Sequence, residues 1–136
     1  MERNNTHLAG EYFVAAELYR RGFSIGMTIG NAKSIDLFAS KEDNILPIQV
    51  KAIRNKKSNG WPLMEHQITP RIIYVFVNLN DTSSPDYYIA TGAETLTKIK
   101  QYSTRGIINL SSLMTSDFVN RWDKLDSLSK ILTKEK

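Results

Sequence analysis

The sequence predicts a mixed α/β or α+β domain in which helices flank a β-sheet. An amphipathic helical segment opens the chain, and a nearly continuous apolar, β-branched run occupies residues 71–79. A charged turn at 41–44 joins two stretches of alternating apolar and polar residues, which is typical of a hairpin. The predicted order is α-β-β-β, a loop, and then β-β-α-α. Because no repeat or linker divides the chain, residues 1–136 are expected to form one domain.

The first half of the chain is expected to contain one helix and three strands. The helix covers residues 6–22, with Thr6 as its N-cap and Gly22 as its stop. A polar turn at 30–34 separates the first strand from the hairpin. The three strands are predicted at 23–29, 35–40 and 45–52.

The second half begins with a basic loop that Gly60 and Pro62 interrupt. The elements expected after it are strands at 71–79 and 86–91, a helix at 93–102, a short extended segment at 107–110 and a helix at 116–132. Ser116 is the expected N-cap of that last helix.

The bulk composition indicates a cytoplasmic protein that is mildly basic. The formal net charge is +4 and the isoelectric point is about 9.3, which favours polyanionic partners. No run approaches the roughly 20 apolar residues of a membrane span, and no signal-peptide core is present, so no membrane association is expected. The chain has no cysteine, which excludes disulfides and thiolate metal sites.

Glu11 interrupts the apolar stripe of the first helix. On a helical wheel it lies among apolar positions. The expected buried face comprises Leu8, Tyr12, Ala15, Ala16, Leu18 and Tyr19. A carboxylate on such a face is neutralised, pairs with a cation, faces a cavity, or reaches solvent from the edge of the stripe.

The predicted hairpin places three more polar side chains near one another. Gln49 and Lys51 share one face of their strand because side chains alternate with a period of two. Asp36 lies on the neighbouring strand, about 4.8 Å away in a hairpin. The alternative is that this surface is only the solvated side of the hairpin.

As a set, these residues suit the hydrolysis of a phosphodiester. Oxygen atoms of Asp36, Gln49 and the Val50 carbonyl would hold Mg²⁺ or Mn²⁺. Lys51 would orient or deprotonate the attacking water, or stabilise charge on the phosphate. Glu11 would bind the ion through water or hold a second ion.

In this region the chain resembles the PD-(D/E)XK nuclease superfamily, and is most similar to archaeal Holliday-junction resolvases and short uncharacterised bacterial relatives. "GEYFVAAELYRRGF" supplies Glu11, "GNAKSID" supplies Asp36, and "IQVKA" supplies Gln49 and Lys51. The resemblance covers residues 8–52. It implies a restriction-endonuclease-like mixed β-sheet flanked by helices and a metal-dependent endonuclease acting on DNA in restriction, repair or recombination. It also implies a homodimer, because many such nucleases use two sites for two strands.

The sequence departs from that superfamily pattern in two places. The acid of the acid-x-Lys pair is replaced by the neutral amide of Gln49. The helix expected between the third and fourth core strands has no room in residues 53–70, which contain Gly60, Pro62 and Pro70. The alternatives are therefore a catalytically inactive module that binds nucleic acid or protein, and a small metal-independent interaction domain.

Basic residues near the predicted site are expected to contact nucleic acid. The residues predicted to bind it are Lys33, Ser34, Arg54, Lys56, Lys57 and Trp61. Trp61 would stack on an unpaired base; in the alternative, the loop is merely solvated and the indole packs against the sheet. His7 and His66 have no second histidine at ligand spacing and are expected to be structural or surface residues.

Overall fold

The computed structural model describes residues 3–28 and 34–128 and shows a mixed α+β architecture, as the sequence predicts. The helices are α1 (Arg3–Arg20), α2 (Gly92–Lys98) and α3 (Leu110–Leu113), and residues 123–128 are also helical. The strands of the first sheet are β1 (Ser24–Met27), β2 (Leu37–Lys41), β3 (Asn44–Ile53), β5 (Ile73–Asn78) and β6 (Asp86–Thr91). The strands of the second sheet are β4 (Gly60–Pro62), β7 (Ile99–Gln101) and β8 (Gly106–Asn109).

The larger sheet has the strand order β1-β2-β3-β5-β6. Strands β3 and β5 run parallel, and every other neighbouring pair is antiparallel. The hairpin of β2 and β3 forms where the charged turn predicted it, with Glu42 and Asp43 at positive φ angles of 53° and 69°. Two consecutive residues in this conformation match the right-handed twist of the flanking strands.

Each face of the larger sheet carries its own hydrophobic core. On one face, α1 and the segment around Trp122 cover Ile48, Val50 and Val75. On the other face, Tyr74 and Phe76 pack against a cluster that includes residues of the smaller β4-β8-β7 sheet. Helix α1 covers only one face of β3. The side chains that point to the other face, such as Gln49 and Lys51, therefore remain available for a site.

Helix α1 packs with a different face from the one predicted. Val14 and Leu18 are buried, but Leu8, Tyr12 and Tyr19 are exposed, Tyr12 by 62%. Gly10, which is not among the residues of the predicted buried face, is buried against β3. A Cβ atom at residue 10 would lie 2.6 Å from Cβ of Ala52, so glycine allows an unusually close approach that turns this side of the helix towards the sheet.

Segments that pair with strands differ most from the sequence-based expectation. The helix predicted at 93–102 ends at Lys98, because Ile99–Gln101 pairs with β8. The helix predicted from Ser116 begins only at 123. The backbone of the preceding segment instead bonds to β6, with Ile89 N donating to Phe118 O at 2.9 Å and Asn120 N donating to Tyr87 O at 3.0 Å.

The other boundaries agree to within a few residues. Helix α1 begins at Arg3, three residues before the predicted cap. Residues 53–70 contain two 3-10 turns and the short strand β4, and no α-helix, as their glycine and prolines predict. Within the described residues, no helix has both the length and the apolar character needed to span a membrane.

Candidate active site

The predicted site residues lie near the position at which β2 stops pairing with β3. The β2–β3 register ends at the pair Leu37 and Ile48, whereas β3 continues beside β5 as far as Ile53. Beyond Ile48, β2 no longer pairs with β3, so this edge of β3 is open apart from its bonds to Asp36. Gln49 and Lys51 lie on this open stretch, and Asp36 precedes β2 directly.

Asp36 is held against β3 by two hydrogen bonds that flank Gln49. Its peptide N–H donates to Ile48 O at 2.9 Å, and its carboxylate Oδ2 accepts from Val50 N at 2.8 Å. The carbonyl of Asp36 accepts from Thr28 N at 3.0 Å, which ties Asp36 to the residue that follows β1. The Asp36 carboxylate is thereby fixed while only 1% exposed.

Glu11 approaches the same carboxylate from helix α1. It is also 1% exposed, because Gly10 brings this turn of the helix close to Val50 and Ala52. Ligand atoms of His7, Glu11 and Asp36 lie within 4.8 Å of one another. Of the alternatives considered for Glu11, the structure excludes the solvated stripe edge.

His7 belongs to this cluster, although the sequence offers it no second histidine at ligand spacing. Its Nε2 lies 2.6 Å from Glu11 Oε2 and 3.7 Å from Asp36 Oδ1. The sequence carried one signal for this contact, since residues four apart on a helix share a face. The contact with Asp36 depends on how α1 docks onto the hairpin.

Gln49 contributes a buried acceptor atom. Its Oε1 has no hydrogen-bond partner among residues 3–28 and 34–128. A buried acceptor that lacks a partner destabilises a fold by about 1–3 kcal/mol. A cation or donor bound beside Gln49 would remove that cost.

Lys51 has an environment that disfavours its charge. Burial lowers the pKa of its amine below the ordinary value of 10.5, and the nearby Asp36 carboxylate raises it only in part. Because Gln49 and Lys51 pair in register with Tyr74 and Phe76 of β5, they share one face of β3, as the period of two predicts. The opposite face, with Ile48 and Val50, lies in the core below α1.

The donor atoms of this cluster fit a hard divalent cation. Two carboxylates and a side-chain amide oxygen are ligands that Mg²⁺ accepts. The mutual approach of the Glu11 and Asp36 carboxylates favours a positive charge between them. Gln49 Oε1, which lacks a partner within the described residues, would gain one from a cation bound beside it. Val50, proposed to offer its carbonyl oxygen, is held by its N–H bond to Asp36.

The predicted nucleic-acid contacts fall into three groups, which are the cations of the loop after β3, the pair at 33–34, and Trp61. Lys56 and Lys57 are exposed, and Arg54 forms an ion pair with Asp81 at 3.1 Å in the cleft that these cations line. Ser34 is exposed beside the site, whereas Lys33 lies outside the described residues.

Trp61 is not available to stack on a base. It is 1% exposed, its Nε1 donates to Val77 O at 3.0 Å, and its ring packs 5.1 Å from that of Phe76. The physical reason is that β4 pairs with β8, which places the indole between the two sheets. The alternative in which the indole packs against the sheet is therefore correct.

Comparisons with solved structures identify the fold. The bacterial homing endonuclease I-Ssp6803I matches with a TM-score of 0.71 over 99% of each chain, at 11% sequence identity. Hjc, a Holliday junction resolvase from the hyperthermophilic archaeon Archaeoglobus fulgidus, matches with a TM-score of 0.53 over 78% of this chain and 90% of its own, at 14% identity. No protein-family model and no curated protein sequence matches the chain. Likenesses at such low identity establish the fold, and the chain therefore has the restriction-endonuclease-like fold of these nucleases.

Proposed function

We propose that this protein is a metal-dependent endonuclease that hydrolyses phosphodiester bonds in DNA. The observation that carries the proposal is the burial of two carboxylates, Glu11 and Asp36, at the open edge of β3 beside Lys51. Structural proteins rarely bury two acids together unless a cation or proton compensates their charge. The proposal assigns that compensation to a catalytic ion.

Glu11, Asp36, Gln49 and the Val50 carbonyl are the proposed ligands. When bound, Mg²⁺ or Mn²⁺ supplies the positive charge that polarises a phosphodiester and acidifies water. Two ionised carboxylates balance the charge of one divalent ion. The neutral amide of Gln49 can therefore replace an acid without leaving the ion uncompensated.

Lys51 is proposed to act on the attacking water. A lowered pKa increases the fraction of neutral amine near neutral pH, and only the neutral amine accepts a proton at Nζ. The water oxygen then forms a bond to phosphorus, the P–O bond to the leaving strand end breaks, and the leaving oxygen takes up a proton from solvent. In its charged form, the same amine stabilises negative charge on the phosphate.

DNA is the proposed substrate because the structures that share the fold are a homing endonuclease and a Holliday junction resolvase. The exposed cations Lys56 and Lys57 follow β3 within about 20 Å of Lys51, since strand residues rise about 3.3 Å each. They would contact the phosphate backbone. We also propose a homodimer, because the described part of one chain supplies one such cluster and a duplex has two strands.

Cleavage assays on duplex, junction and flap DNA test this function. With Mg²⁺ or Mn²⁺ the wild-type protein is expected to cut at least one substrate, and Asp36→Ala and Lys51→Ala are expected to lower the rate by about 100-fold or more. Lys100→Ala, an exposed lysine on β7, is the matched control and should retain full activity. Equal activity in the Asp36→Ala protein would rule out this site.

A second candidate function is a nucleic-acid-binding module that has lost catalysis, which the neutral side chain of Gln49 favours. Gln49→Glu separates the two candidates. In an active nuclease this substitution restores a third carboxylate and keeps or raises metal-dependent cutting. DNA binding without cleavage, in both the wild-type and the Gln49→Glu protein, would support the binding module.

A further inference from the structure

His7 lies in the candidate site, yet the proposed reaction leaves it without a role. It precedes Glu11 by one turn of α1, and its Nε2 is the atom that faces both carboxylates. Its side chain is 39% exposed, whereas Glu11 and Asp36 are 1% exposed. His7 therefore forms the solvent side of the cluster, where an incoming ion would first make contact.

The spacing of the three side chains matches that of ligands around one ion. Their ligand atoms lie within 4.8 Å of one another. Bonds of about 2.1 Å to a six-coordinate ion place neighbouring ligand atoms about 3 Å apart and opposite ones about 4 Å apart. Movements of a fraction of an ångström to one ångström, within the reach of ordinary side-chain adjustment, would complete such a geometry.

We infer that His7 is a ligand of the proposed ion, so that this site is a mixed nitrogen and oxygen site. The inference rests on the proposed metal-dependent function and deepens it. With the ion bound, an imidazole that carries its hydrogen on Nδ1 would present the Nε2 lone pair to the ion, in place of the contact that Nε2 makes with Glu11. It adds a strong neutral donor in a cluster where Gln49 supplies only an amide oxygen.

The expected consequence is a change in metal preference. Imidazole nitrogen suits transition-metal ions, whereas Mg²⁺ prefers oxygen ligands. The site should therefore bind Mn²⁺ and Co²⁺ more tightly, relative to Mg²⁺, than the same site without His7. Removing a group that supports a metal site commonly lowers metal affinity by about 10- to 100-fold.

Electron spin-echo spectroscopy of the Mn²⁺-loaded protein tests the nitrogen bond directly. The wild-type protein should show ¹⁴N modulation, which changes to the ¹⁵N pattern when histidine alone is ¹⁵N-labelled. The chain has two histidines. His66→Ala, which alters the exposed histidine of a 3-10 turn, is thus the matched control and should keep the signal. His7→Ala should lose it.

Metal titration by calorimetry supplies the second measurement. His7→Ala and His7→Gln should lower Mn²⁺ affinity by at least about 10-fold and lower Mg²⁺ affinity less, with unchanged circular dichroism and melting temperature. If Mn²⁺ binds the wild type, is lost in Asp36→Ala and shows no histidine nitrogen, the role of His7 is overturned while the proposed function stands. If the wild type binds no Mn²⁺, the proposed metal site is overturned as well.

Discussion

At the scale of single residues, the site combines groups that are unfavourable in isolation. Glu11 and Asp36 are buried acids, Gln49 Oε1 is a buried acceptor without a partner in the described chain, and Lys51 is a partly buried amine with a lowered pKa. Each of these features costs stability. Residues that lower the stability of the fold in this way are typical of functional sites.

Replacement of Lys51 by methionine should stabilise the metal-free protein. Because the pKa of Lys51 is lower in the folded than in the unfolded chain, the unfolded chain binds more protons between the folded pKa and 10.5. The cost of the charged amine is therefore fully present below the folded pKa and disappears as the pH rises towards 10.5. We expect Lys51→Met to raise the free energy of unfolding by about 1 kcal/mol at pH 7.

Urea unfolding in the presence of a chelator measures this difference. The gain should be smaller at pH 10 than at pH 7, and Lys100→Met should show neither the gain nor the pH dependence, because Lys100 is exposed. An unchanged or lower stability of Lys51→Met at pH 7 would contradict the account of its burial.

At the scale of elements, the contact between α1 and β3 positions the acid of the helix. Gly10 meets Ala52 at a distance that leaves no space for a side chain, and Glu11 follows directly. The sequence pattern predicted correctly that Glu11 lies among buried residues. It also assigned Leu8 and Tyr12 to the buried face of the helix, and both are exposed. Apolar residues lie on more than one side of this helix, since Tyr12 and Phe13 are exposed and Val14 is buried, so hydrophobicity alone could not choose the packed side.

Gly10→Ala should destabilise the protein although alanine is the better helix former. The gain in helix propensity is about 1 kcal/mol, and overpacking against a fixed group such as the Ala52 methyl typically costs about 1–3 kcal/mol. We expect a net loss of about 1 kcal/mol and a melting temperature lower by about 2–5 °C.

Two further variants isolate the cause of that loss. Ala52→Gly combined with Gly10→Ala should recover much of the melting temperature, because it removes the atom that the new methyl group meets. Gly26→Ala, where nothing lies within 4 Å of the added Cβ, is the control. A higher melting temperature for Gly10→Ala alone would show that α1 and β3 are not in close contact.

At the scale of the whole molecule, the fold presents the site and its basic loop at one end of β3. The net charge of +4 is small, so general attraction to DNA is weak and local contacts are expected to dominate. Arg54 is already paired with Asp81, whereas Lys56 and Lys57 are exposed. The two lysines should therefore contribute more to DNA binding than the arginine.

Neutralising both lysines should weaken DNA binding in a salt-dependent way. For Lys56→Gln/Lys57→Gln, the slope of log affinity against log salt concentration should fall in magnitude by about 2. Fluorescence anisotropy with labelled DNA in the presence of Ca²⁺ measures binding. Lys100→Gln/Arg105→Gln changes the net charge equally at other exposed positions and should alter the slope less. Equal slopes in the two double variants would show that the loop lysines do not contact DNA.

The sequence by itself determined the features that depend on neighbouring residues. Alternation with a period of two placed Gln49 and Lys51 on one face, and the charged turn set the register that brings Asp36 opposite Gln49. The same local patterns located β5 and β6 and excluded a helix from residues 53–70. The fold class followed from this order of elements, and the structural comparisons confirm it.

Only the tertiary structure decided which surfaces the elements share. The burial of Trp61, the pairing of residues 118–120 with β6 and the proximity of His7 to Asp36 all join segments that are distant along the chain. Short-range patterns specify which residues can be buried or paired, but they do not specify with which distant segment. The choice among those partners comes from close packing of the whole chain, and it is this packing that brings a histidine of the first helix to the two acids.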